Sequence, residues 1–373
     1  MEKWIAAYVN ALCKEMRLVA ETSVEVIPVH TIFLGGGTPS ILSTQQLTQI
    51  LNQIRKNYQV DETAEISLEA NPGTVTLQKL QALRETGYNR ISYGMQSANP
   101  EELRLLGRIH DMPDILNAVQ WARQAGFENL NLDLIFALPD QRLENWQKTV
   151  NMAIQLNPEH LSLYALTIEE GTLFGKWAER GLISMPDDDL AAEMYEWADQ
   201  ALAEAGYHQY EISNWARTSH TGTLLSCRHN LQYWRNLLYL GFGAGAHGSA
   251  KNLRYSNCLT IGEYIEKITT GNGSIFPFSP ACDTFTEINR WTEIEETMML
   301  GLRLVEEGVN RQIFFNRFGG DVLDFFPNQI AQLIHRGLIE VTDQTVCLSS
   351  KGRLLGNQVF VEFIGNKPQP AFS

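Results

Sequence analysis

The chain has 373 residues, of which 44% are hydrophobic and 19% are charged. This composition is typical of a globular enzyme-like protein, and the length suggests roughly two domains of about 150 residues each. The 43 acidic residues outnumber the 29 basic ones, and the resulting formal net charge of −14 argues against nucleic-acid binding. No apolar run approaches the roughly 20 residues of a membrane span, and no secretion signal is visible, so we expect a cytoplasmic protein without a transmembrane segment.

The five cysteines are scattered along the sequence, and the closest two are 24 residues apart: Cys13, Cys227, Cys258, Cys282 and Cys347. This spacing contains neither a CxxC-like metal loop nor a compact disulfide framework. An odd number of scattered cysteines indicates reduced thiols, which fits a cytoplasmic protein.

The first predicted element is an amphipathic helix over residues 1–22. Its apolar residues recur at helical spacing: Trp4, Tyr8, Leu12, Met16 and Val19. A strand–helix unit would place a strand before this helix, yet the sequence begins inside the helix. We therefore expect the first strand of the fold to be missing.

Between residues 29 and about 168, short apolar runs alternate with amphipathic helical stretches. The predicted strands are Val29–Leu34, Glu65–Glu69, Arg90–Met95, Leu130–Phe136 and His160–Leu166. The predicted helices are Thr44–Asn57, Leu77–Glu85, Met112–Ala125 and Asn145–Leu156. This alternation predicts a parallel sheet covered by helices, either doubly wound or barrel-shaped.

The pattern changes after about residue 175. A long helix is predicted over Asp187–Ala205, and a stretch rich in glycine and aromatic residues follows it as far as residue 248. The segment 269–283 is the best linker candidate.

The C-terminal part has the pattern of a small winged-helix-like module. Three predicted helices precede a predicted hairpin over 338–352: Glu293–Glu306, Arg311–Phe318 and Pro327–Arg336. We accordingly predict three domains, at 1–175, 176–270 and 285–373.

The sequence TIFLGGGTPS at 31–40 runs from a strand into three glycines, Gly35–Gly37. Thr38 is then a candidate N-cap, and Pro39 would occupy the first helical position. The glycines would allow a ligand to approach the backbone closely, where N–H groups are available for an anion. The same residues would also suit an ordinary tight turn from a strand into a helix.

Polar residues lie near the ends of the strands that follow. Glu69 ends one strand, Gln96 ends the next, and Asp133 lies in a third, while Arg108 comes in the helix-like stretch after Gln96. Parallel α/β folds place active-site groups at such strand ends. Each residue alone would fit a helix cap or a salt bridge, but four of them beside a glycine loop favour a ligand site.

A second group of candidate residues lies in CRHNLQYWR, 227–235. If this segment is helical, His229 and Tyr233 share one face, and Asn230 and Trp234 share the neighbouring face. A neutral imidazole is a common axial ligand of heme iron, and flat aromatic rings can pack on a porphyrin. A core histidine flanked by packing aromatics is the alternative.

Five motifs occur in the order and spacing of the radical S-adenosylmethionine enzymes related to oxygen-independent coproporphyrinogen III oxidase: GGGTPS, EANPGT, SYGMQS, LGRIH and DLIFALPDQ. The resemblance covers essentially the whole chain, since YALTIEEGTLF, YEISNWA, GFGAGAH and the C-terminal module are also similar. It implies an α/β fold, with a partial (β/α) TIM-like barrel that here lacks its first strand and a C-terminal winged-helix-like domain.

The same resemblance implies an S-adenosylmethionine site, because the glycine loop of the family holds the methionine end of that cofactor. The matching positions in this sequence are Gly36, Gly37, Thr38, Glu69, Gln96, Arg108 and Asp133.

The segment 227–235 also contains the HNxxYW motif that marks the HemW-type heme chaperones. The motif implies heme binding by His229, Asn230, Tyr233 and Trp234, with His229 as the candidate ligand of the heme iron. The true coproporphyrinogen oxidases lack it, so it separates the two branches of the family.

The family holds a 4Fe–4S cluster with three cysteines spaced CxxxCxxC, and this sequence contains no such motif. Without it we expect no cluster of the family type and no reductive cleavage of S-adenosylmethionine. Two explanations are open. Either the sequence starts at an internal methionine and so omits the first strand and the cluster loop, or the protein is a cluster-less relative that retains heme binding. The first is favoured because the cofactor-contacting positions match the family.

The resemblance thus implies a heme chaperone that transfers heme to an acceptor protein, with S-adenosylmethionine and a 4Fe–4S cluster as the cofactors of the family. The alternative is an enzyme that oxidatively decarboxylates coproporphyrinogen III to protoporphyrinogen IX. A homodimer and peripheral membrane contact are left open.

Overall fold

The computed structural model describes residues 2–271 and 273–365. The chain forms two compact units. Unit 1 comprises Met1–Ile32, Leu42–Glu65 and Arg228–Ser373, and unit 2 comprises Phe33–Ile41 and Ile66–Cys227.

The chain opens with two helix–strand pairs: α1 (Glu2–Glu21), β1 (Pro28–Leu34), α2 (Thr44–Asn57) and β2 (Gln59–Ala70). The predicted apolar face of α1 is confirmed at Met16 and Val19, which are 2% and 1% exposed, whereas Trp4 is 41% exposed. Ser43 begins α2 with a capping box, since its side chain accepts a backbone N–H and its own N–H donates to Gln46.

Helices and strands continue to alternate through unit 2. Its elements are α3 (Leu77–Thr86), β3 (Arg90–Gln96), α4 (Pro100–Leu105), α5 (Met112–Gln124), β4 (Leu130–Phe136), α6 (Leu143–Gln155), β5 (His160–Ala165), α7 (Leu173–Glu179), α8 (Asp188–Glu204), β6 (Tyr207–Glu211) and β7 (Asn214–Arg217). The predicted strands and helices of this region are confirmed, with ends that mostly agree within one or two residues.

Seven strands form a mixed sheet in the order β1-β2-β3-β4-β5-β7-β6. Strands β2 to β5 pair in parallel, while β7 pairs antiparallel with both β5 and β6. Strands β3 and β4 are buried along nearly their whole length, as expected for parallel strands covered on both faces. The predicted parallel sheet is therefore confirmed, and its last two strands form an antiparallel extension.

The rest of unit 1 begins with α9, which carries the HNLQYW sequence. The elements are α9 (Arg228–Trp234), β8 (His247–Ala250), β9 (Leu253–Asn257), α10 (Ile261–Thr270), β10 (Cys282–Glu287), α11 (Arg290–Gly301), β11 (Val309–Asn310), α12 (Arg311–Phe318), α13 (Val322–Phe325), α14 (Pro327–His335), β12 (Ile339–Val341), β13 (Thr345–Leu348), α15 (Ser350–Leu354) and α16 (Gly356–Phe360). Strands β10, β9 and β8 form one antiparallel sheet, and β11, β13 and β12 form another.

The segment 269–283 is not the linker that its composition suggested. It leads into β10, which pairs with β9, and Ala281 is fully buried beside Tyr264 and Ile268. Pro277 and Pro280 lie in turns, and the elements on either side of them belong to unit 1. The helices and the hairpin predicted for the C-terminal module are confirmed.

Candidate functional site

The glycine loop that follows β1 lies in unit 2. Gly36 and Gly37 have positive φ angles of 83° and 61°, which a side chain rarely adopts. A Cβ atom added at either position would meet no described atom within 4 Å, so this side of the loop is open. The Gly36 N–H donates to Glu69 Oε2 over 3.0 Å and ties the loop to the end of β2. This arrangement fits a cradle that a ligand can approach closely.

The segment after the glycines forms a short helix of the 3₁₀ type. It covers Pro39–Ile41, so the prediction that Pro39 occupies the first helical position is confirmed, with Thr38 directly before it. The α-helix begins at Thr44, and Ser43 provides its cap.

Gln96 and Arg108 also lie in unit 2. Gln96 ends β3 with a φ angle of 65°, a conformation uncommon outside glycine, and its side chain is buried. Arg108 is half-buried, and its backbone N–H donates to Leu103. Among the described residues its guanidinium forms no hydrogen bond, so its donors are available for a ligand carboxylate.

Asp133 is held by two neighbours that sequence reasoning missed. Its carboxylate accepts hydrogen bonds from Ser92 Oγ over 2.9 Å and from Asn131 Nδ2 over 2.8 Å. Burial raises the pKa of Asp133, and these hydrogen bonds lower it in part. The alternation of side chains along β4 places Asn131 on the same face as Asp133, which is the only sequence signal for this pair.

Glu69 is hydrogen-bonded to the glycine loop and interacts electrostatically with Asp133. Burial raises the pKa of Glu69, the Gly36 N–H lowers it in part, and the negative charge of Asp133 raises it further. The seven residues predicted for S-adenosylmethionine all lie in unit 2, and the loop, Glu69 and Asp133 interact directly or electrostatically.

The second group of candidate residues lies on α9, in unit 1. This segment is helical, as the interpretation of its spacing assumed. The first turn of α9 is held by a residue that the sequence analysis did not single out. Glu65 on β2 accepts the N–H groups of Arg228 and His229, each over 3.1 Å, at its two carboxylate oxygens. A carboxylate at a helix N-terminus satisfies free N–H groups and complements the helix dipole.

The imidazole of His229 is held at both nitrogens. Nδ1 lies 2.9 Å from the Thr31 hydroxyl, and Nε2 lies 3.0 Å from the Tyr233 hydroxyl. The rings of His229 and Tyr233 are edge to face, with centroids 5.1 Å apart. In a neutral imidazole one nitrogen donates and the other accepts, so either hydroxyl would have to leave before that nitrogen could bind a metal.

The other two motif residues differ in their surroundings. One face of the Trp234 ring is covered by the guanidinium of Arg303, 4.3 Å from the ring centre, which is a cation–π contact. The buried Trp234 Nε1 has no hydrogen-bond partner among the described residues. Asn230 is half-buried, and its side chain forms no hydrogen bond within the described part of the chain.

The cysteines do not converge. Cys13, Cys227 and Cys258 are buried on separate segments, and all five are free thiols. No group of three His, Cys, Asp or Glu side chains in residues 2–271 and 273–365 could hold a metal ion. The described residues therefore do not supply the ligands of a 4Fe–4S cluster. None of the described helices has the length and apolar character needed to cross a membrane.

Residues 13–153 match the profile of the radical SAM superfamily, and residues 288–355 match that of the HemN C-terminal domain. The structure of coproporphyrinogen III oxidase (HemN) from Escherichia coli is similar, with a TM-score of 0.78 over 98% of this chain and 85% of that chain, at 23% identity. At that identity the likeness shows the fold alone. The expected class, a partial-barrel radical S-adenosylmethionine fold with a C-terminal domain, is confirmed.

Two relatives are similar over nearly the whole length. The heme chaperone HemW of Bacillus subtilis is 38% identical over 360 residues, which cover 96% of this chain and 91% of the relative. The heme chaperone HemW of Lactococcus lactis is 34% identical over 362 residues, 96% of this chain and 90% of the relative. The chain belongs to the HemW family of the radical S-adenosylmethionine proteins.

Proposed function

We propose that this protein binds heme and transfers it to an acceptor protein. The observation that carries this proposal is the 38% identity to a heme chaperone over 96% of the chain. Members this similar over their full length normally share a ligand class, and the HNLQYW sequence on α9 is the feature that the resemblance links to heme.

His229 is the proposed ligand of the heme iron. It lies on the first turn of α9, whose position Glu65 fixes, so the imidazole is presented from a defined backbone. The hydroxyls of Thr31 and Tyr233 hold the ring when no metal is bound. Release of one hydroxyl would free a nitrogen for iron, while the other would keep the ring oriented, as is usual for metal-bound histidines.

The proposal is tested by substituting His229→Ala and titrating the full-length protein with hemin. We expect the Soret band of the bound form to shift and the affinity to fall by at least roughly tenfold, because even losses outside the metal's direct ligands cost about 10- to 100-fold. His220→Ala is the matched control, since His220 is exposed and lies outside the motif.

An unchanged Soret band and an unchanged hemin affinity in His229→Ala would remove His229 from the site. Failure of the unsubstituted protein to bind hemin at all would contradict the proposed function itself. Transfer is measured by mixing the heme-loaded protein with a heme-free hemoprotein and following the acceptor's own spectrum.

We also propose that unit 2 holds S-adenosylmethionine, with Gly36, Gly37 and Thr38 along its methionine end and with Glu69, Gln96, Arg108 and Asp133 as further contacts. This assignment is supported by the open glycine loop and by the Arg108 guanidinium, which forms no hydrogen bond within residues 2–271 and 273–365. The bound cofactor would supply a sulfonium group, and with a cluster it would supply radical chemistry. The chain's own carboxylates Glu69 and Asp133 would balance its positive charge.

The charge of Glu69 provides a test of this second site. Glu69→Gln keeps an oxygen that can accept the Gly36 N–H but removes the negative charge. We expect the affinity for S-adenosylmethionine, measured by equilibrium dialysis, to fall about tenfold, the value of a hydrogen bond or contact to a charged group. Glu85→Gln on the exposed face of α3 is the control. Equal binding by both variants would exclude Glu69 from the site.

Decarboxylation of coproporphyrinogen III is supported less well than heme transfer. The oxidase of known structure is 23% identical to this chain, whereas the heme chaperones exceed 30% over nearly its whole length. Formation of protoporphyrinogen IX from coproporphyrinogen III by the cluster-loaded protein would favour the oxidase.

A further inference from the structure

Unit 1 contains a cavity beside the HNLQYW helix. Its volume is about 270 Å³, and its lining is mostly apolar with one amide and one cation: Tyr233, Leu237, Tyr239, Met299, Leu300, Asn236 and Arg254. Pockets that enclose most of a small ligand measure roughly 300–1,000 Å³. This cavity is therefore large enough for one edge of a porphyrin but not for the whole ring system.

Tyr233 belongs both to the cavity and to the imidazole site. Its hydroxyl lies 3.0 Å from His229 Nε2, and its ring forms part of the cavity wall. The ring of Tyr239 packs edge to face against it, with centroids 4.7 Å apart. Burial raises the pKa of Tyr239, so its phenol stays neutral around neutral pH. A ligand in the cavity would thus be one side chain away from the proposed iron ligand.

The cation of the cavity is Arg254. Its guanidinium binds Glu296 through Nη1 and Nη2, at 2.7 and 2.8 Å, and its side chain is 39% exposed. An arginine carries five N–H donors in a planar fork, so these two bonds leave capacity for a second carboxylate. The hydrogen bonds to Glu296 raise the pKa of Arg254 and keep it charged. A porphyrin propionate is an anion that such a group can bind.

The cavity is bordered by exposed apolar surface. Leu237, which lines it, is 42% exposed, and its neighbour Leu238 is 64% exposed. An exposed leucine that lines an apolar cavity adds contact area for a flat hydrophobic ligand. It also leaves that ligand partly uncovered, which suits a protein that must give its cargo to another.

We propose that this cavity receives one edge of the porphyrin while His229 binds the iron, with Arg254 beside a propionate and Tyr233 forming the wall between them. The occupant is argued from three features that coincide: flat apolar walls, a cation at the rim and the adjoining imidazole. The inference rests on the proposed heme binding and adds the surface that recognises the macrocycle independently of its iron.

Metal-free protoporphyrin IX separates the cavity from the iron ligand, because it offers no metal for His229. We expect Leu300→Trp, which fills the cavity, to lower the affinity for protoporphyrin IX and for hemin by about tenfold or more. His229→Ala should weaken hemin binding but leave protoporphyrin IX binding within about twofold. Binding is followed by quenching of porphyrin fluorescence and by the Soret band, with circular dichroism to confirm folding.

The matched control fills a different cavity. Ala201 lines a cavity of about 420 Å³ in unit 2, and Ala201→Trp should leave both affinities unchanged. One outcome separates the two proposals: the unsubstituted protein binds hemin, His229→Ala does not, and Leu300→Trp binds both porphyrins normally. The cavity would then not be the porphyrin-binding site, whereas the proposed function would still stand. If the unsubstituted protein binds neither porphyrin, the proposed function fails as well.

A second variant tests the same surface without filling it. Arg254→Gln should weaken binding of protoporphyrin IX several-fold but leave binding of its dimethyl ester, which has no free propionate, unchanged. Equal effects on the acid and the ester, or no effect on either, would overturn the role of Arg254. The comparison of the acid with the ester tests the cavity even if Leu300→Trp does not fold.

Discussion

Two hydroxyl groups lie within hydrogen-bonding distance of the imidazole nitrogens of His229. Thr31 reaches Nδ1 from β1, and Tyr233 reaches Nε2 from the next turn of the same helix. Iron at Nε2 would compete with the Tyr233 hydroxyl for the same lone pair. Because Tyr233 also lines the cavity proposed for the porphyrin, we expect a ligand that enters this cavity to displace the hydroxyl and free the nitrogen.

Tyr233→Phe isolates this competition, since it removes the hydroxyl and keeps the ring. A net hydrogen bond is worth about 0.5–1.5 kcal/mol, so we expect hemin affinity to rise about 2- to 10-fold. Hemin titration measures the change. Weaker hemin binding in Tyr233→Phe would mean that the hydroxyl helps to hold the bound heme instead of capping the imidazole.

Among the elements, α1 is anchored by a buried carboxylate that the sequence gave no reason to single out. Glu15 is 1% exposed, and its two oxygens accept four hydrogen bonds of 2.6–2.8 Å from different segments of unit 1. The donors are the Gly243 N–H, Asn257 Nδ2, the Tyr264 hydroxyl and the Ser279 hydroxyl. One side chain therefore joins α1 to the glycine-rich loop before β8, to β9, to α10 and to the segment before β10.

Glu15→Gln should lower the free energy of unfolding by about 1–3 kcal/mol, because the amide NH₂ cannot accept the hydrogen bonds that one carboxylate oxygen receives. Urea unfolding of the full-length protein measures the loss. Glu21→Gln is the control on the same helix, because within the described part of the chain Glu21 forms only an exposed ion pair with Arg17. Equal unfolding free energies for Glu15→Gln and the unsubstituted protein would show that the four bonds contribute no net stability.

The effect of Glu15→Gln on the free energy of unfolding should also depend on pH, and the pKa of Glu15 gives the direction. Burial raises the pKa of Glu15, although its four hydrogen bonds lower it in part. The folded state therefore holds the proton to higher pH than the unfolded state does, and stability from the protonated carboxyl is lost as the pH rises through the folded pKa. The loss of unfolding free energy caused by Glu15→Gln should be larger at about pH 5 than at about pH 8. A deficit that grows with pH would contradict the raised pKa.

For the whole molecule, the net charge of −14 determines how an anionic ligand approaches. The Debye length is about 30 Å at 0.01 M salt and about 8 Å at 0.15 M, so at low salt an incoming heme, with its propionates, is repelled by the whole protein. We expect the association rate constant of hemin, measured by stopped-flow, to rise between these salt concentrations. A rate constant that falls with salt would show that local cations such as Arg254 dominate the approach.

The sequence alone predicted the elements because their signals are local. Alternating apolar runs and capped amphipathic stretches placed helix Thr44–Asn57 and strand Leu130–Phe136 at the residues where the structure has them. The segment 269–283 was misread for the same reason: glycine, serine and proline mark turns, but they do not show whether a turn is packed or free.

What the sequence by itself determined is the family, the sheet and the residue types at both candidate sites, since short motifs and their spacing carry that information. Only the tertiary structure decided what holds those residues: Glu65 beneath the N-terminus of α9, Thr31 and Tyr233 at the imidazole, Arg303 on Trp234, and Ser92 and Asn131 at Asp133. Thr31 and His229 are 198 positions apart, and no periodicity extends over that distance. Contacts of this kind depend on how the chain returns to the same place, which packing fixes and local pattern does not.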